Sequence, residues 1–417
     1  IVATAANYSS ISWETSGDGT FINTSGNSTD YTPGTFDLTN GSAQITAYAD
    51  PLPPCTQSAG DVVGVNFIPG PNVDAGSDQT ICSSNFANLS GYADNYNSIS
   101  WATNGDGYFS SQSALDSKYF PGPNDIAAGM VSLSLTASGN PPCDGGIDDN
   151  LILSIQSPAQ ISAGEDRFIC EGELVQLNGY AENHASVSWS TNGDGTFNQT
   201  NILDPVYTPG FGDIANGNVI LTVTAGSFSP CSGSATADVS VNIQKQVTVA
   251  AGNDASICEN ESFFTEASAE NFGSIQWSTG GDGSFANSSS LTTAYYPGQV
   301  DIDTGQVALT LDAEPINPCT VSASDGMILQ IIKLPTADAG GDQSVCQNNF
   351  VSLNGTASNY TSFEWITSGD GDFTNPGSLN TNYSPGENDK TAGNVTITLM
   401  ASPLSPCSLT AEDQMDI

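Results

Sequence analysis

The feature that most restricts the fold is a spacing. Trp13, Trp101, Trp189, Trp277 and Trp365 each lie 88 residues after the one before, and each opens one phrase, Trp-x-Thr-x-Gly-Asp-Gly-x-Phe. A phrase kept at constant distance, with no insertion or deletion, marks a chain built from copies of one unit. Aligning the copies puts boundaries at 69/70, 157/158, 245/246 and 333/334, giving units 1–69, 70–157, 158–245, 246–333 and 334–417. The first unit lacks its opening strand and the last most of its closing one.

In the second unit, Ser98-Ile-Ser-Trp101 alternates polar and apolar residues, the period of a strand with one buried face. Gly105-Asp106-Gly107 then predicts a tight turn with glycine at positive φ and aspartate bonded to nearby backbone. Phe109 resumes the apolar face. One indole per unit predicts one core anchor per unit. Burying such a ring removes roughly 150–250 Å² from water, about 4–6 kcal/mol before entropy is counted. A platform for stacking sugars is the other role open to it.

The rest of the unit reads as short strands. Val73 to Cys82 predicts an edge strand, Phe86 to Tyr92 a second and Ile99 to Thr103 a third, with one or two short pieces between Phe109 and Tyr119. Met130 to Ala137 and Leu151 to Ile155 alternate cleanly. About seven strands in 88 residues, with no helical period, predict an all-β, two-sheet sandwich with immunoglobulin-like connections. The 43 Gly and 22 Pro fit many turns between short strands. Tyr119, Pro121-Gly122, Asp125 and Gly129 recur in every unit around a long connection that turn chemistry explains. Joints such as Ile68-Pro-Gly-Pro71, Gln156-Ser-Pro158 and Lys333-Leu-Pro335 are short and hold proline. Consecutive units are therefore expected to be stiffly coupled and stacked head to toe, with no helix in any of them.

Charge narrows the partners. Asp and Glu number 45 against 5 Lys and Arg, a net charge of −40. Phosphate backbones and anionic headgroups repel such a surface, which argues against nucleic-acid and membrane-surface partners. Like-charged units repel one another within a Debye length of about 10 Å, favouring an extended string. No apolar run approaches the ~20 residues a membrane helix needs, so this segment is not expected to insert.

Ala75-Gly-Ser-Asp-Gln-Thr-Ile-Cys82, its counterpart Ala339-Gly-Gly-Asp-Gln-Ser-Val-Cys346, the strand before each tryptophan, Gly-Asp-Gly and the late Pro-Cys pairs form one pattern. It resembles the Ig/PKD-like tandem repeats of giant surface adhesins from gliding Bacteroidota, unit by unit over essentially the whole chain. That family's Trp-Asp-Phe-Gly-Asp-Gly is altered here to Trp-x-Thr-x-Gly-Asp-Gly. The resemblance implies a sandwich fold and a secreted, extracellular, surface-attached stalk, with adhesion and gliding motility as its setting. Expected partners are neighbouring units of the same chain, with surface polysaccharide or lateral copies of the fibre as further candidates.

Nine cysteines fall into two series that keep the period: Cys82, Cys170, Cys258 and Cys346 after the first strand, and Cys55, Cys143, Cys231, Cys319 and Cys407 before the last. In a repetitive, acidic chain whose resemblance implies secretion, these read as disulfides. CxxC spacing and recurring histidine are absent, which argues against zinc. Two pairings remain open. Within a unit, Cys82 would join Cys143, Cys170 Cys231, Cys258 Cys319 and Cys346 Cys407. Between units, Cys82 would join Cys231, Cys170 would join Cys319 and Cys258 would join Cys407. The second is favoured, because the two series sit at opposite ends of a sandwich about 25 Å long, whereas bridged Cα atoms lie about 4.4–6.8 Å apart.

No catalytic residue and no cofactor is expected. The single histidine, His184, stands where other units have Tyr8, Tyr96, Phe272 and Tyr360. Nucleophile elbows, phosphate loops and metalloprotease helices are missing. Acids recur once per unit rather than as one pair in one cleft. Lys118, Lys245, Lys333 and Lys390 share no register, so one isopeptide cross-link per unit is not available. Calcium is the alternative cofactor: Asp106 and Asp125, with Asp18, Asp194, Asp282, Asp370 and Asp37, Asp213, Asp301, Asp389, offer oxygens in every unit. Calcium wants six to eight oxygens from clustered acids, and a lone Gly-Asp-Gly more often makes a turn. The expected function is a structural stalk. The competing one is an array of weak carbohydrate- or calcium-binding modules acting by avidity, with Tyr96, Phe272 and Tyr360 as candidate contacts.

Overall fold

The computed structural model describes residues 1–417, of which 51% are strand and 7% helix. Unit two shows how one period folds. Its elements are β1 (Asn72–Asp74), β2 (Gln79–Cys82), β3 (Ala87–Ser90), β4 (Tyr92–Asp94), β5 (Tyr96–Thr103), β6 (Tyr108–Phe109), β7 (Asp116–Phe120), α1 (Pro123–Ala128), β8 (Met130–Gly139) and β9 (Gly146–Gln156). One layer is a four-stranded sheet in the order β5-β8-β9-β2, antiparallel except for the parallel β9–β2 edge. The other is β6-β7-β3, with β1 paired to β4 beside it. Units three and four repeat these sheets; in units one and five the larger sheet has three strands.

Alternation builds the core. Along β8, Val131, Leu133, Leu135, Ala137 and Gly139 are buried while the serines and threonine between them are not. Leu151, Leu153 and Ile155 of β9 lie beside them, and Trp101 and Tyr119 close the space from the other strands.

The structure departs from the expected strands in three places. The opening strand is two pieces in different sheets: β1 pairs β4 and β2 pairs β9, and the chain crosses between them through Gly76 at φ +93°. Phe86 to Tyr92 likewise splits, at Gly91. A Cβ there would lie 2.5 Å from Leu135 Cδ2 and 3.0 Å from Trp101 Cζ2, so the indole and the backbone meet where only glycine fits.

Thirdly, the units do contain helix. Each long connection holds a six-residue helix: Pro123–Ala128, Thr35–Asn40, Phe211–Asn216, Gln299–Thr304 and Glu387–Ala392. Fewer than two turns show no 3.6-residue period, but the terminal signals are present. Pro123 is pre-set for the first turn, Asp125 accepts a bond from the Gly122 N–H, and Gly129 ends the helix at φ +72°.

Candidate functional site

Two constellations recur along the chain. The first lies around Gly-Asp-Gly. Trp101, on β5, is 1% exposed and its indole N–H donates to the Ala114 carbonyl at 3.0 Å. Trp13, Trp189, Trp277 and Trp365 are buried and donate in the same way to Gly26, Ile202, Ser290 and Ser378. Each indole pins the loop that follows it from inside the core. At 5% exposure or less, none of the five is free to stack a sugar.

Beyond the tryptophan, the Tyr119 hydroxyl donates to Asp125 Oδ2 at 2.7 Å and lies 3.0 Å from Thr103 Oγ1. Asp125 also accepts from the backbone N–H groups of Gly107 and Gly122 on Oδ2, at 3.1 and 3.0 Å, and of Asp106 on Oδ1, at 3.2 Å. Asp106 returns the bond, accepting from the N–H groups of Asn124 and Asp125. Two aspartates thus hold each other's loops.

Gly105 and Gly107 are required for a different reason from the one the sequence suggests, because neither has positive φ. A Cβ on Gly105 would lie 1.7 Å from Asp125 Oδ1, and one on Gly107 2.4 Å from the Tyr119 hydroxyl. The constraint is close approach of side chains to backbone. The positive-φ residue near this stretch is Asn95 (φ +55°), ahead of β5, with Asn7, Asn183, Asn271 and Asn359 in the other units; sequence reasoning missed it, although asparagine favours that conformation.

This arrangement does not fit calcium. Each carboxylate meets backbone N–H donors, and Asp125 the Tyr119 O–H as well, which aim positive charge at the oxygens a cation would need. No group of three or more acidic, histidine or cysteine side chains converges elsewhere. The same donors tune acidity. Backbone N–H groups, from Gly212 and Asp213 at Asp194 and chiefly from Phe36 at Asp18, hold those carboxyls below the usual range. Burial would raise the Asp389 carboxyl, but the Tyr383 hydroxyl and backbone donors outweigh it and lower it. Burial, with Asp125 or Asp213 adjacent, pushes the phenols of Tyr119 and Tyr207 up to about 12.

The second constellation is the joint between units. Cys82 is bonded to Cys231, Cys170 to Cys319 and Cys258 to Cys407, each at a separation of 149 residues and with Cα atoms 4.8–4.9 Å apart. Each bridge joins the opening of one unit to the late turn of the next. Strand register explains the choice: Cys82 pairs beside Gln156 at the far end of β9, whereas Cys143 precedes the start of that strand. Eleven residues of strand, about 36 Å, separate the two ends.

At each joint the late cysteine's sulfur lies over the end of the preceding closing strand: Cys231 is 3.1 Å from the Gln156 carbonyl oxygen, Cys319 is 3.4 Å from that of Gln244 and Cys407 is 3.3 Å from that of Ile332. Glu171 and Glu259 add a bond across their joints, accepting from the N–H groups of Gln246 and Leu334 at 3.1 and 3.0 Å. Cys55, Cys143 and Cys346 are free, and no cysteine lies 149 residues from any of the three.

The aromatic candidates do not form a common surface. Tyr96 is exposed, Phe272 packs against the core of unit four, and Tyr360 meets Phe363 edge to face at 5.6 Å. His184 is half-buried at the start of its strand, opposite Ser227. No helix is long and apolar enough to cross a membrane.

No family model matches the chain, and no curated protein sequence does either. Among solved structures it is similar to the extracellular cadherin domains 1–4 of protocadherin gamma B7, with 11% identity over 76% of this chain and 92% of that one and a TM-score of 0.43. Cadherin domains 1–5 of protocadherin gamma B2 give 12% identity, 97% and 92% coverage and a TM-score of 0.40. A three-immunoglobulin-domain fragment of titin gives 11% identity, 63% and 98% coverage and 0.40.

Proposed function

We propose that this chain is a load-bearing segment of an extracellular stalk, carrying an adhesive or attachment element away from a cell surface. The observation that carries the proposal is the overlap of the three disulfides. The interval 82–231 overlaps 170–319, which overlaps 258–407. Every joint among units two to five therefore has two covalent connections, the peptide and the bridge.

The consequence is a limit on extension. The shortest covalent route between the chain ends runs through Cys82–Cys231 and Cys258–Cys407, leaving out residues 83–230 and 259–406. Roughly 120 residues at about 3.6 Å each span about 430 Å, against about 1,500 Å for the whole chain. Folded units stacked with strands along the axis would occupy about 40 Å each. Unfolding under load then lengthens the stalk about twofold, where an unbridged chain would lengthen severalfold. Oxidised disulfides suit an extracellular compartment. The resemblance to gliding-bacterium adhesins suggests adhesion and gliding as the setting, and surface polysaccharide or a lateral copy as partner. No catalytic role is proposed.

Pulling the chain between its ends tests the proposal. The oxidised chain is expected to stop extending near 430 Å and the reduced chain to reach about 1,500 Å. Full extension without reductant would remove the double connection. A compact, folded-back particle by small-angle scattering would remove the stalk.

A further inference from the structure

We propose that the outer face of the β6-β7-β3 sheet in unit two is a binding ridge for a neutral pyranose polysaccharide, and that the same face of unit four carries a smaller second site. In unit two, Tyr108 stacks on Phe120 with centroids 4.8 Å apart and planes 11° apart, and Phe120 meets Phe86 at 5.4 Å. Lys118 closes the row, its Nζ 4.2 Å from the Phe86 centroid. These side chains point away from the core, alternating with buried Ser117 and Tyr119. Tyr108 is 64% exposed and Phe86 37%.

The sandwich itself does not require these rings. Where unit two has Tyr108 and Phe120, unit one has Thr20 and Thr32, unit three Thr196 and Thr208, and unit five Asp372 and Ser384, and all keep the same strand pairing. Unit four departs in the same direction as unit two, with Phe264 and Tyr296 exposed on this face. Contiguous exposed aromatic surface marks an interaction site more often than chance.

Charge selects the occupant. A chain at −40 repels nucleic acid, anionic lipid and polyuronates, and the same charge disfavours a second copy of itself on this face. Lys118 is the only basic side chain in unit two, and its ammonium lies against Phe86. A neutral ligand with a flat C–H face remains, and a pyranose ring has one. It would stack on the free face of Tyr108, with the Tyr108 hydroxyl, exposed Asn88 and Lys118 supplying hydrogen bonds at the rim. Because the rings already pack on one another, binding costs little side-chain ordering.

The test is affinity electrophoresis of the whole chain through gels holding soluble xylan, hydroxyethyl cellulose, mannan or dextran, with alginate as the acidic counterpart. Tyr108→Thr/Phe120→Thr installs the residues that units one and three carry, so the fold is retained. At least one neutral polysaccharide is expected to retard the natural chain, and the double variant to weaken that binding tenfold or more. Phe264→Gln/Tyr296→Thr, the unit-three residues, is expected to weaken it less, by severalfold. Retardation by no neutral polysaccharide, retardation by alginate alone, or retardation unchanged in the Tyr108/Phe120 variant would overturn the proposal. So would self-association in sedimentation that the double variant abolishes, since the ridge would then be an interface between copies.

Discussion

Units one and two carry the same tryptophan phrase, the same helix and the same aspartate pair, yet their cores differ. Thirteen residues are buried together in unit two, and three, Ile11, Trp13 and Ile45, in unit one. Leu151 of unit two is 0% exposed, whereas Val63, at the equivalent position, is 45% exposed. The difference is the opening pair β1 and β2. In unit two these strands lay Val73, Ala75 and Ile81 against the core; residues 1–69 include no counterpart of them, and a groove of about 380 Å³ lies between Ile1–Ala6 and the strand that holds Val63. The recurrent phrase positions the anchor, and the opening strands close the box around it.

The largest effect should appear on separating the two regions. A fragment of residues 70–157 is expected to unfold cooperatively in urea, followed by tryptophan fluorescence, because it holds both its opening and closing strands. A fragment of residues 1–69 is expected to show no cooperative transition. Cooperative unfolding of the shorter fragment would mean that the loop network folds without the opening strands, and the comparison would break.

Single residues carry the same contrast. Leu151→Ala should cost about 2–5 kcal/mol, the usual cost of emptying a buried leucine site, and Val63→Ala less than about 0.5 kcal/mol. Amide exchange can read both in one chain, from Met130–Gly139 for unit two and Ser42–Pro51 for unit one. Equal losses at the two sites would show that something covers Val63 in solution.

Much of this was legible in the sequence, and the misses have physical causes. The spacing of Trp13, Trp101, Trp189, Trp277 and Trp365 is enough to define the unit, and period-two alternation locates the strands that bury one face, Met130–Gly139 most clearly. What alternation cannot reveal is a strand that changes sheets. Asn72 to Cys82 looks like one edge strand because the crossing at Gly76 interrupts the hydrogen-bond ladder without interrupting the pattern of side chains. The helices escaped because fewer than two turns have no period, although Pro123 and Gly129 mark their ends. Pairing of Cys82 with Cys231 could be argued only after the strand ends had been placed in space, and peptide mapping without reductant is its direct check. The aromatic ridge was overlooked for the opposite reason: Tyr108 has no aromatic counterpart in any other unit and Phe120 has one only in Tyr296, and reading by alignment looks for what recurs.

The loop network offers a control that should not distinguish the two units. Gly105→Ala and Gly17→Ala each force a methyl group onto an aspartate, 1.7 Å from Asp125 Oδ1 and 1.4 Å from Asp37 Oδ1 respectively. Each is expected to cost about 1–3 kcal/mol locally, through displacement of a hydrogen-bonded carboxylate. Exchange protection of the Phe109 and Phe21 amides would register the two losses. A much smaller effect in unit one would show that its aspartate is already loose.

Alkaline titration gives the smallest effect and the finest comparison. Burial is the first cause of the raised phenol in both units, with Asp125 beside Tyr119 and Asp37 beside Tyr31 acting in the same direction. Tyr119 is fully buried and is pushed up to about 12, whereas Tyr31 is half-buried and raised. A phenol whose folded pKa lies above its unfolded value of about 10 stabilises the fold fully below pH 10, and that contribution is lost as pH rises towards 12. Unit two should therefore weaken across this window and unit one as pH rises above 10, with the more exposed Tyr31 expected to form phenolate before Tyr119. Tyr119→Phe removes the ionisation together with the bond to Asp125, so it lowers stability at neutral pH by about 1–2 kcal/mol while flattening the alkaline slope of unit two alone. Simultaneous ionisation of the two tyrosines would show that the groove beside Trp13 does not reach the network.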